Sequence, residues 1–316
     1  MGYEVASFGE LLIDMVPLPS TGGLNFAAKP GGAPGNAAVG LGKLGRSACM
    51  LSKVGDDAFG RLLTDTIAAS GASVEHVVVS QDHRTGLAVV TLDAQGDRDF
   101  LFYRQDCADA NYAPEEVAED VIRQARMLHV NSLIMSAPTA ARAQRHAIAV
   151  AQDAGIMISV DPNLRPLLWD STEAMVAAAR EVIAVANILK VGADELAIIT
   201  GIDDPIAALE SLWHDGLRVA AITAGAAGAT IVTPGEKVTI AGIPVKVVDT
   251  TGCGDSFMAA FLAGLLDSDF DLSAENLVRI GRFACAAGAI VATAPGGMDA
   301  MATRAELQIF MAERGL

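Results

Sequence analysis

The sequence has few aromatic residues, no closely spaced cysteine pair and few basic residues. Aromatics make up 5% of its 316 residues, while alanine and glycine are abundant, which favours helices packed closely on a sheet. Its four cysteines, Cys49, Cys107, Cys253 and Cys285, show no C-x-x-C spacing, which argues against a zinc knuckle or a redox pair. Unpaired cysteines are typical of a reducing compartment, and we expect a cytoplasmic protein.

The shortage of basic residues limits the partners of the protein. With 22 Lys and Arg against 38 Asp and Glu, the formal net charge is −16. Nucleic acids and anionic lipids bind basic surfaces, so we expect neither as a partner, and an anionic substrate requires a local cationic site. The sequence also lacks a charge-free run of roughly 20 apolar residues and a signal-like N-terminus, so we expect no membrane span and no export.

The spacing of apolar residues predicts strands that alternate with helices. Short β-branched runs predict strands at residues 3–8, 47–53, 74–79, 127–130, 156–160, 188–191 and 219–223. Apolar residues that recur every three or four positions predict helices at residues 59–70, 139–153, 173–184 and 205–214. This alternation predicts an α/β fold with a mostly parallel central sheet.

Two stretches alternate polar and apolar residues instead. Residues 11–16, together with 85–92 and 99–103 joined by a turn at 93–98, have the pattern of antiparallel, half-buried strands. We interpret residues 11–32 and 85–106, approximately, as a small β-sheet lid. Because no linker or repeat divides the chain, we expect residues 1–316 to form one domain. The exposed face of the lid would cover a substrate or join two subunits of a homodimer.

Residues 249–255, with the sequence DTTGCGD, lie between a predicted strand and an alanine-rich helix. The backbone amides of Gly252, Cys253 and Gly254 can point to one place, where the helix N-terminus adds partial positive charge. Asp255 follows in the first helical turn, close enough to accept a proton from a hydroxyl that attacks a phosphoryl group. From spacing alone, an aspartate that only complements the helix dipole stays an equal alternative.

Two N-terminal segments could bind hydroxyl groups. Residues 30–36, with the sequence PGGAPGN, combine glycines that permit close approach of a ligand with the donor and acceptor of Asn36. A turn followed by a helix cap is the alternative. Residues 9–14, GELLID, place Asp14 beyond the first strand, where α/β proteins open their ligand crevice.

These motifs resemble those of the ribokinase-like (pfkB) sugar kinases over nearly the whole chain. DTTGCGD is similar to the family signature D-T-x-G-A-G-D, with Cys253 where alanine is usual, and PGGAPGN is similar to its N-terminal glycine signature. Residues 8–10, 31–34, 102–104 and 161–165 resemble the fructokinase branch. The resemblance implies a three-layer α/β/α fold with a β-sheet lid, and transfer of phosphate from ATP to a hydroxyl of D-fructose.

The resemblance also implies roles for individual residues. Catalysis would use Asp255 as the base, the turn amides and Arg165 as a charge clamp. Residues that would contact the sugar are Asp14, Gly31, Gly32, Asn36, Arg104 and Asp255. Residues that would bind ATP are Lys190, Thr223, Gly225, Gly228, Gly252 and Gly254, of which three belong to the segment TAGAAG at residues 223–228.

Metal ions complete the set of implied ligands. Glu195 and Asp249 are the implied metal ligands, and Glu195 would act on Mg²⁺ through water. Gly192 stands where the family has Asn or Ser, so one polar contact is missing. A K⁺ site is implied at Asp249 and the carbonyls around residues 290, 292 and 297.

Other functions stay open at this point. A kinase of the same family could act on 2-keto-3-deoxygluconate, ribose or a nucleoside, and a silent sugar-binding protein could keep the fold without catalysis. The match of residues 40–45, GLGKLG, to a dinucleotide fingerprint is discounted because these glycines fall within a predicted helix rather than between a strand and a helix.

Overall fold

Two β-sheets organise the protein. The computed structural model describes residues 2–18, 23–92 and 98–316, so most of the turn predicted at residues 93–98 lies outside the described residues. The strands are β1 Val5–Phe8, β2 Leu12–Leu18, β3 Asn25–Gly31, β4 Ala48–Gly55, β5 Val77–Ser80, β6 Gly86–Leu92, β7 Arg98–Tyr103, β8 Met127–Val130, β9 Met157–Val160, β10 Ile188–Gly192, β11 Val219–Thr223, β12 Gly228–Val232 and β13 Lys237–Ala241.

The α-helices lie mainly between the strands of the larger sheet and after its last strand. They are α1 Ala33–Lys43, α2 Ala58–Ala69, α3 Glu119–Gln124, α4 Pro138–Asp153, α5 Thr172–Ile183, α6 Ala193–Thr200, α7 Pro205–Leu212, α8 Cys253–Asp267, α9 Ala274–Val291, α10 Gly297–Ala300 and α11 Arg304–Ala312. The four helices predicted from periodicity correspond to α2, α4, α5 and α7, with ends within two residues of those predicted. None of the helices described combines the length and the apolar character needed to cross a membrane.

The larger sheet has nine strands in the order β13-β12-β11-β10-β9-β8-β1-β4-β5. Adjacent strands of this sheet pair in parallel from β11 across to β5. The β11–β12 and β12–β13 pairs are antiparallel. Strand β1 lies between β8 and β4, so the direction in which the chain winds across the sheet changes beside β1. Open α/β sheets bind ligands at such a point, outside the carboxyl ends of the strands.

Apolar side chains cover both faces of this sheet. Val5 of β1 packs in a core with Phe261 of α8 and Leu277 of α9. Phe8 of the same strand belongs to a second core, which contains Ala147 of α4. Because helices bury apolar surface on each face, the molecule has three layers, and the predicted α/β/α fold is confirmed.

The smaller sheet has four strands in the order β3-β2-β6-β7. The β2–β3 and β6–β7 pairs are antiparallel as expected, but β2 and β6 pair in parallel, so the expectation of antiparallel strands is wrong for this pair. Both strands leave the carboxyl edge of the larger sheet, after β1 and after β5, and therefore run in the same direction. The four strands fall within residues 11–32 and 85–106. That residues 1–316 form one domain, and that the smaller sheet covers a substrate, stay predictions.

Candidate active site

A cavity of about 610 Å³ lies where the carboxyl ends of the central strands meet the smaller sheet. Its walls include Leu12 and Phe102 of the smaller sheet. Ten of the predicted site residues line it: Asp14, Gly32, Asn36, Arg165, Lys190, Glu195, Thr223, Gly252, Gly254 and Asp255. Six others lie outside its lining: Gly31, Arg104, Gly225, Gly228, Asp249 and Cys253. The fold therefore brings together most residues of three separate sequence motifs.

Helix α8 begins at this cavity with a glycine turn. Gly252 precedes the helix with a φ of +78°, a left-handed conformation that favours glycine. A Cβ atom there would also lie 2.8 Å from the Cα of Gly297. Among the described residues, the amides of Gly252 and Gly254 have no acceptor, whereas the amide of Cys253 donates to the carbonyl of Thr250 at 3.3 Å. In this structure two amides of the turn, rather than the three expected, are available to an anion.

Asp255 lies in the first turn of α8 and contacts Asn36 of α1. The Asn36 Nδ2 donates to Asp255 Oδ2 at 2.6 Å. Asn36 is buried, and its Oδ1 has no hydrogen-bond partner. A buried oxygen without a partner costs free energy, so a hydroxyl group of a ligand would stabilise this site.

The surroundings of Asp255 make it a weaker acid than a free aspartic acid. Burial, followed by the negative charge of Asp161, raises the pKa of Asp255 to about 6. The hydrogen bond from Asn36 and the charges of Lys190 and Arg165 act in the opposite direction. Because a general base works best when its pKa lies near the working pH, this shift suits Asp255 to accept a proton from a hydroxyl.

Lys190, near the carboxyl end of β10, forms an ion pair with Asp161, which follows β9. The Lys190 Nζ lies 2.9 Å from Asp161 Oδ2, and both side chains are buried. Burial by itself would lower the pKa of Lys190, but the negative charges of Asp161, Glu195 and Asp255, together with the hydrogen bond to Asp161, raise that pKa. A Cβ atom on Gly254 would lie only 3.0 Å from the Lys190 Nζ. A permanent positive charge therefore lies beside the glycine turn.

Glu195 binds two backbone amides with its carboxylate. Its Oε1 accepts from the amide of Leu164, and its Oε2 accepts from the amide of Gly192, both at 2.8 Å. The carboxylate thus joins the turn after β9 to the start of α6. No cluster of three or more His, Cys, Asp or Glu side chains able to hold a metal ion occurs in the described ranges. Binding of Mg²⁺ through water on Glu195 stays a prediction.

The glycines at the end of β3 allow two acidic residues to approach the backbone. A Cβ atom on Gly31 would lie 2.5 Å from Asp14 Oδ2, and a Cβ atom on Gly32 would lie 2.4 Å from the carbonyl oxygen of Glu10. Gly32 also has a φ of +106°. Glycine is therefore required at position 32, where a Cβ atom would meet backbone, whereas a Cβ atom at position 31 would displace the carboxylate of Asp14.

Glu10 is a buried carboxyl group in the wall of the cavity. Its Oε1 accepts from the amide of Ala33 at 3.0 Å, and Asn131 Nδ2 donates to Oε1 and Oε2 at 3.1 and 2.8 Å. Burial raises the pKa of Glu10 to about 7, against the opposing effect of the Arg104 charge. Glu10 therefore connects the first turn of α1 to the segment that follows β8.

The two predicted arginines occupy different environments. Arg104 is buried, pairs with Asp109, and lines a second cavity of about 470 Å³ that shares Phe102 with the first. Arg165 is exposed, lines the main cavity, and donates to the carbonyl of Leu164 at 2.8 Å. A contact of Arg104 with sugar and a contact of Arg165 with phosphate stay predictions.

The predicted nucleotide segment forms the turn between β11 and β12. Thr223 ends β11 at the main cavity. Gly225 and Gly228 follow with φ of +53° and +103°, and a Cβ atom on Gly228 would lie 2.1 Å from the carbonyl oxygen of Ile240. Glycine is therefore required for this tight turn, and its contact with a nucleotide stays a prediction.

Asp249 anchors the loop before α8. Its Oδ1 accepts from the amide of Thr251 at 2.8 Å and its Oδ2 from the amide of Gly296 at 3.1 Å. The carbonyl of Ala292 accepts the amides of Val248 and Asp249. These contacts join the loop to the segment after α9, and the carbonyls implied for K⁺ lie at the end of α9, in this segment and at the start of α10.

Three polar residues near the cavity were not assigned a role from the sequence. Glu10 follows β1, Asn131 follows β8 and Asp161 follows β9, each within two residues of the strand end. A polar residue directly after a buried parallel strand is the signal that could have identified them, because carboxyl ends of parallel strands share one edge.

The residues present fit the phosphate groups of a nucleotide. Two amides without an acceptor, the buried ammonium of Lys190 and the exposed guanidinium of Arg165 supply positive charge at one end of the cavity. The unpaired Asn36 Oδ1 and the carboxylate of Asp255 lie beside them. This arrangement can bind an anion next to a hydroxyl group and remove the proton of that hydroxyl.

Comparisons with known proteins agree with this chemistry. Residues 3–304 match the model of the pfkB family carbohydrate kinases. Fructokinase-2 of Solanum lycopersicum is 39% identical over 310 residues, which cover 96% of this chain and 94% of the relative.

Solved structures are similar over the same length. A fructokinase from Xylella fastidiosa with bound ATP has a TM-score of 0.92 and 28% identity, covering 99% of both chains. A fructokinase double mutant from Vibrio cholerae O395, bound to fructose, ADP and potassium, has a TM-score of 0.88 and 27% identity, covering 98% of this chain and 99% of that one. Agreement in family model, whole-length identity and fold shows that the chain belongs to the pfkB family of carbohydrate kinases.

Proposed function

We propose that this kinase transfers the γ-phosphate of ATP to a hydroxyl of D-fructose, with Asp255 as the general base. The observation that carries the proposal is the 2.6 Å contact of Asp255 with Asn36 beside the amides that begin α8. The choice of fructose is supported by relatives named fructokinases that align over more than nine-tenths of the chain.

The residues of the cavity divide the work of the reaction. Asp14, Gly32 and Asn36 bind and orient the sugar, so that one hydroxyl faces Asp255. Asp255 accepts the proton of this hydroxyl as the hydroxyl oxygen attacks the γ-phosphorus, and the bond from that phosphorus to the bridging oxygen breaks to release ADP. Lys190, Arg165 and the amides of the turn stabilise the negative charge of the transferred group. When bound, Mg²⁺ neutralises charge on the nucleotide phosphates.

The smaller sheet serves as the lid in this proposal. Leu12, Asp14 and Phe102 present its inner face to the cavity. Closure of this sheet over the sugar excludes water, which would otherwise accept the phosphoryl group.

The test is an assay of ADP release with purified protein and Mg²⁺-ATP over fructose, 2-keto-3-deoxygluconate, ribose and adenosine. We expect the highest kcat/KM with fructose. A preference for another acceptor would reject fructose and keep the kinase, whereas sugar binding without ADP release would favour the silent sugar-binding protein.

We also propose that K⁺ binds near Asp249 and the carbonyls around Ile290, Ala292 and Gly297. The anchoring of Asp249 to the segment after α9 supports this placement, because a cation there would stabilise the loop that leads to the anion-binding turn. The assay repeated with Na⁺ or tetramethylammonium in place of K⁺ tests it, and equal rates in all three salts would reject it.

We propose further that two copies associate through the lid. Leu101 and Tyr103 of β7 are 51% and 64% exposed, and they lie on the face opposite Phe102. Light scattering should give the mass of a dimer, and the double variant Leu101→Lys, Tyr103→Lys should give that of a monomer.

We propose a cytoplasmic location as well. The free cysteines and the need for ATP support it, and cell fractionation tests it.

A further inference from the structure

Asp161 is a buried carboxylate whose two oxygens have different surroundings. Its side chain is 3% exposed, its Oδ2 accepts from Lys190 Nζ at 2.9 Å, and its buried Oδ1 has no hydrogen-bond partner. The neighbouring segment is fixed, because Ser132 binds the carbonyl of Pro162 and Glu195 binds the amide of Leu164. The carboxylate therefore has a fixed position, and Lys190 is its only bonded partner among the described residues.

Lys190 lies among three negatively charged groups. Besides Asp161, the carboxylates of Glu195 and, more weakly, Asp255 act on its ammonium group electrostatically. The carboxylate of Glu195 already accepts two backbone amides. The ammonium lies beside Gly254, in the first turn of α8. Lysine is a point charge on a flexible four-carbon chain, so without Asp161 as an anchor it would be drawn towards Glu195 or Asp255. A direct Lys190–Asp255 pair would occupy the carboxylate that receives the proton and remove the cation from the turn.

We propose that Asp161 is a positioning residue that holds the ammonium of Lys190 beside Gly254 and away from Asp255. The base is then free to accept a hydroxyl proton, while the cation faces the phosphate groups. The inference rests on the proposed kinase reaction at this cavity, but the role of Asp161 does not depend on which sugar is the acceptor.

A purely structural role is the alternative, because breaking a buried ion pair also destabilises a fold. The chain offers a matched control in Lys53 and Glu116, a pair at 2.7 Å whose lysine is also buried. Neither residue lines the main cavity. Glu116→Gln should lower the melting temperature and leave the kinetic constants of the folded protein unchanged.

The test is a double-mutant cycle of Asp161→Asn and Lys190→Gln. For each variant, kcat, KM for ATP, the dissociation constant of ADP measured without sugar, and the dissociation constant of fructose are determined. We expect Asp161→Asn to lower kcat at least about ten-fold and to weaken ADP binding several-fold, with fructose affinity changed less than about two-fold. Because Asp161 acts through Lys190, the double variant should be no worse than Lys190→Gln alone.

Several outcomes would overturn the inference. The inference fails if the two single variants lower kcat and ADP affinity independently, so that their effects multiply in the double variant. It also fails if Asp161→Asn is less stable but has normal kcat and ADP affinity. Asp161→Glu keeps the charge and should give intermediate values. If neither variant at this position folds, Asp161 serves stability and the inference fails. If the wild type prefers an acceptor other than fructose while the coupled losses of kcat and ADP affinity persist, the proposed acceptor fails and this inference stands.

Discussion

The side chains of Asn36 and Asp255 meet at 2.6 Å although 219 positions separate them in the sequence. Asn36 belongs to α1 and Asp255 to the start of α8, two helices that contact each other on one face of the larger sheet. The amide of Asn36 thereby fixes the orientation of the Asp255 carboxylate, and its second polar atom, Oδ1, lies unpaired at the same place. In the proposed reaction, one asparagine can therefore orient both the base and the hydroxyl that the base deprotonates.

Replacing Asp255 by Asn should abolish most of the turnover. The amide cannot accept the proton of the hydroxyl, so we expect kcat to fall roughly a hundred-fold or more. The dissociation constant of fructose, measured by calorimetry, should change little because shape and size are kept. A variant with near-normal kcat would show that another group is the base.

The rate of the wild type should fall as the pH decreases through about 6, the pKa of Asp255. The carboxylate is the active form, and burial with the repulsion from Asp161 makes it bind a proton at a higher pH than a free aspartate. A profile of kcat between about pH 5 and about pH 8, with the coupling enzymes in excess, measures this limb. A rate that stays constant down to about pH 5 would contradict the assignment.

Glu10 should make the protein less stable as the pH rises. Its pKa is raised from 4.5 to about 7, so between these values the unfolded chain is ionised while the folded protein keeps the proton. Unfolding then releases a proton. The free energy of unfolding is therefore highest below pH 4.5 and decreases as the pH rises from 4.5 to about 7. The full effect is about 3 kcal/mol.

Urea unfolding of the wild type and of Glu10→Gln measures this effect. The variant carries no titrating group at this position, so its free energy of unfolding should depend less on pH than that of the wild type. Glu313→Gln is the control, because this glutamate is exposed. Equal pH dependence in the wild type and in Glu10→Gln would reject the prediction.

Replacing Gly254 by Ala should separate activity from stability. The added Cβ atom would lie 3.0 Å from Lys190 Nζ, so the ammonium group would have to shift by a few tenths of an ångström away from the turn. Alanine favours a helix over glycine by up to ~1 kcal/mol, so the free energy of unfolding should not decrease. We expect kcat and ADP affinity to fall in a protein of normal melting temperature. A fall in both stability and activity would point instead to disruption of α8.

Much of the fold could be predicted because its signals are local. Strands β8 and β11 have the predicted ends, and α4 differs by one residue, since apolar spacing and the residues at helix ends specify these elements. Strand β3 and the hairpin of β12 and β13 were not assigned as strands. The direction of β6 relative to β2 could not be read from alternation, because a two-residue period is the same in parallel and antiparallel pairs.

The site was predictable where a short motif carries the chemistry. Residues 249–255 specify both the turn and Asp255 within seven positions. The pairing of Asp161 with Lys190 depends on two strands that lie side by side although their residues are 29 positions apart. The donation of the Cys253 amide to Thr250 depends on the backbone geometry of the turn. Neither relationship has a signal in local sequence.

If the smaller sheet closes over the sugar as proposed, the parallel pairing of β2 with β6 limits how it can move. Both strands begin at the same edge of the larger sheet, and Thr85, just before β6, donates its amide and hydroxyl to Asp57 at 2.9 and 2.8 Å. Rotation about the line through residues 11 and 85 would leave the β2–β6 hydrogen bonds intact. Such a rotation would bring Asp14 and Phe102 down together, so capture of the sugar and exclusion of water would occur in a single movement.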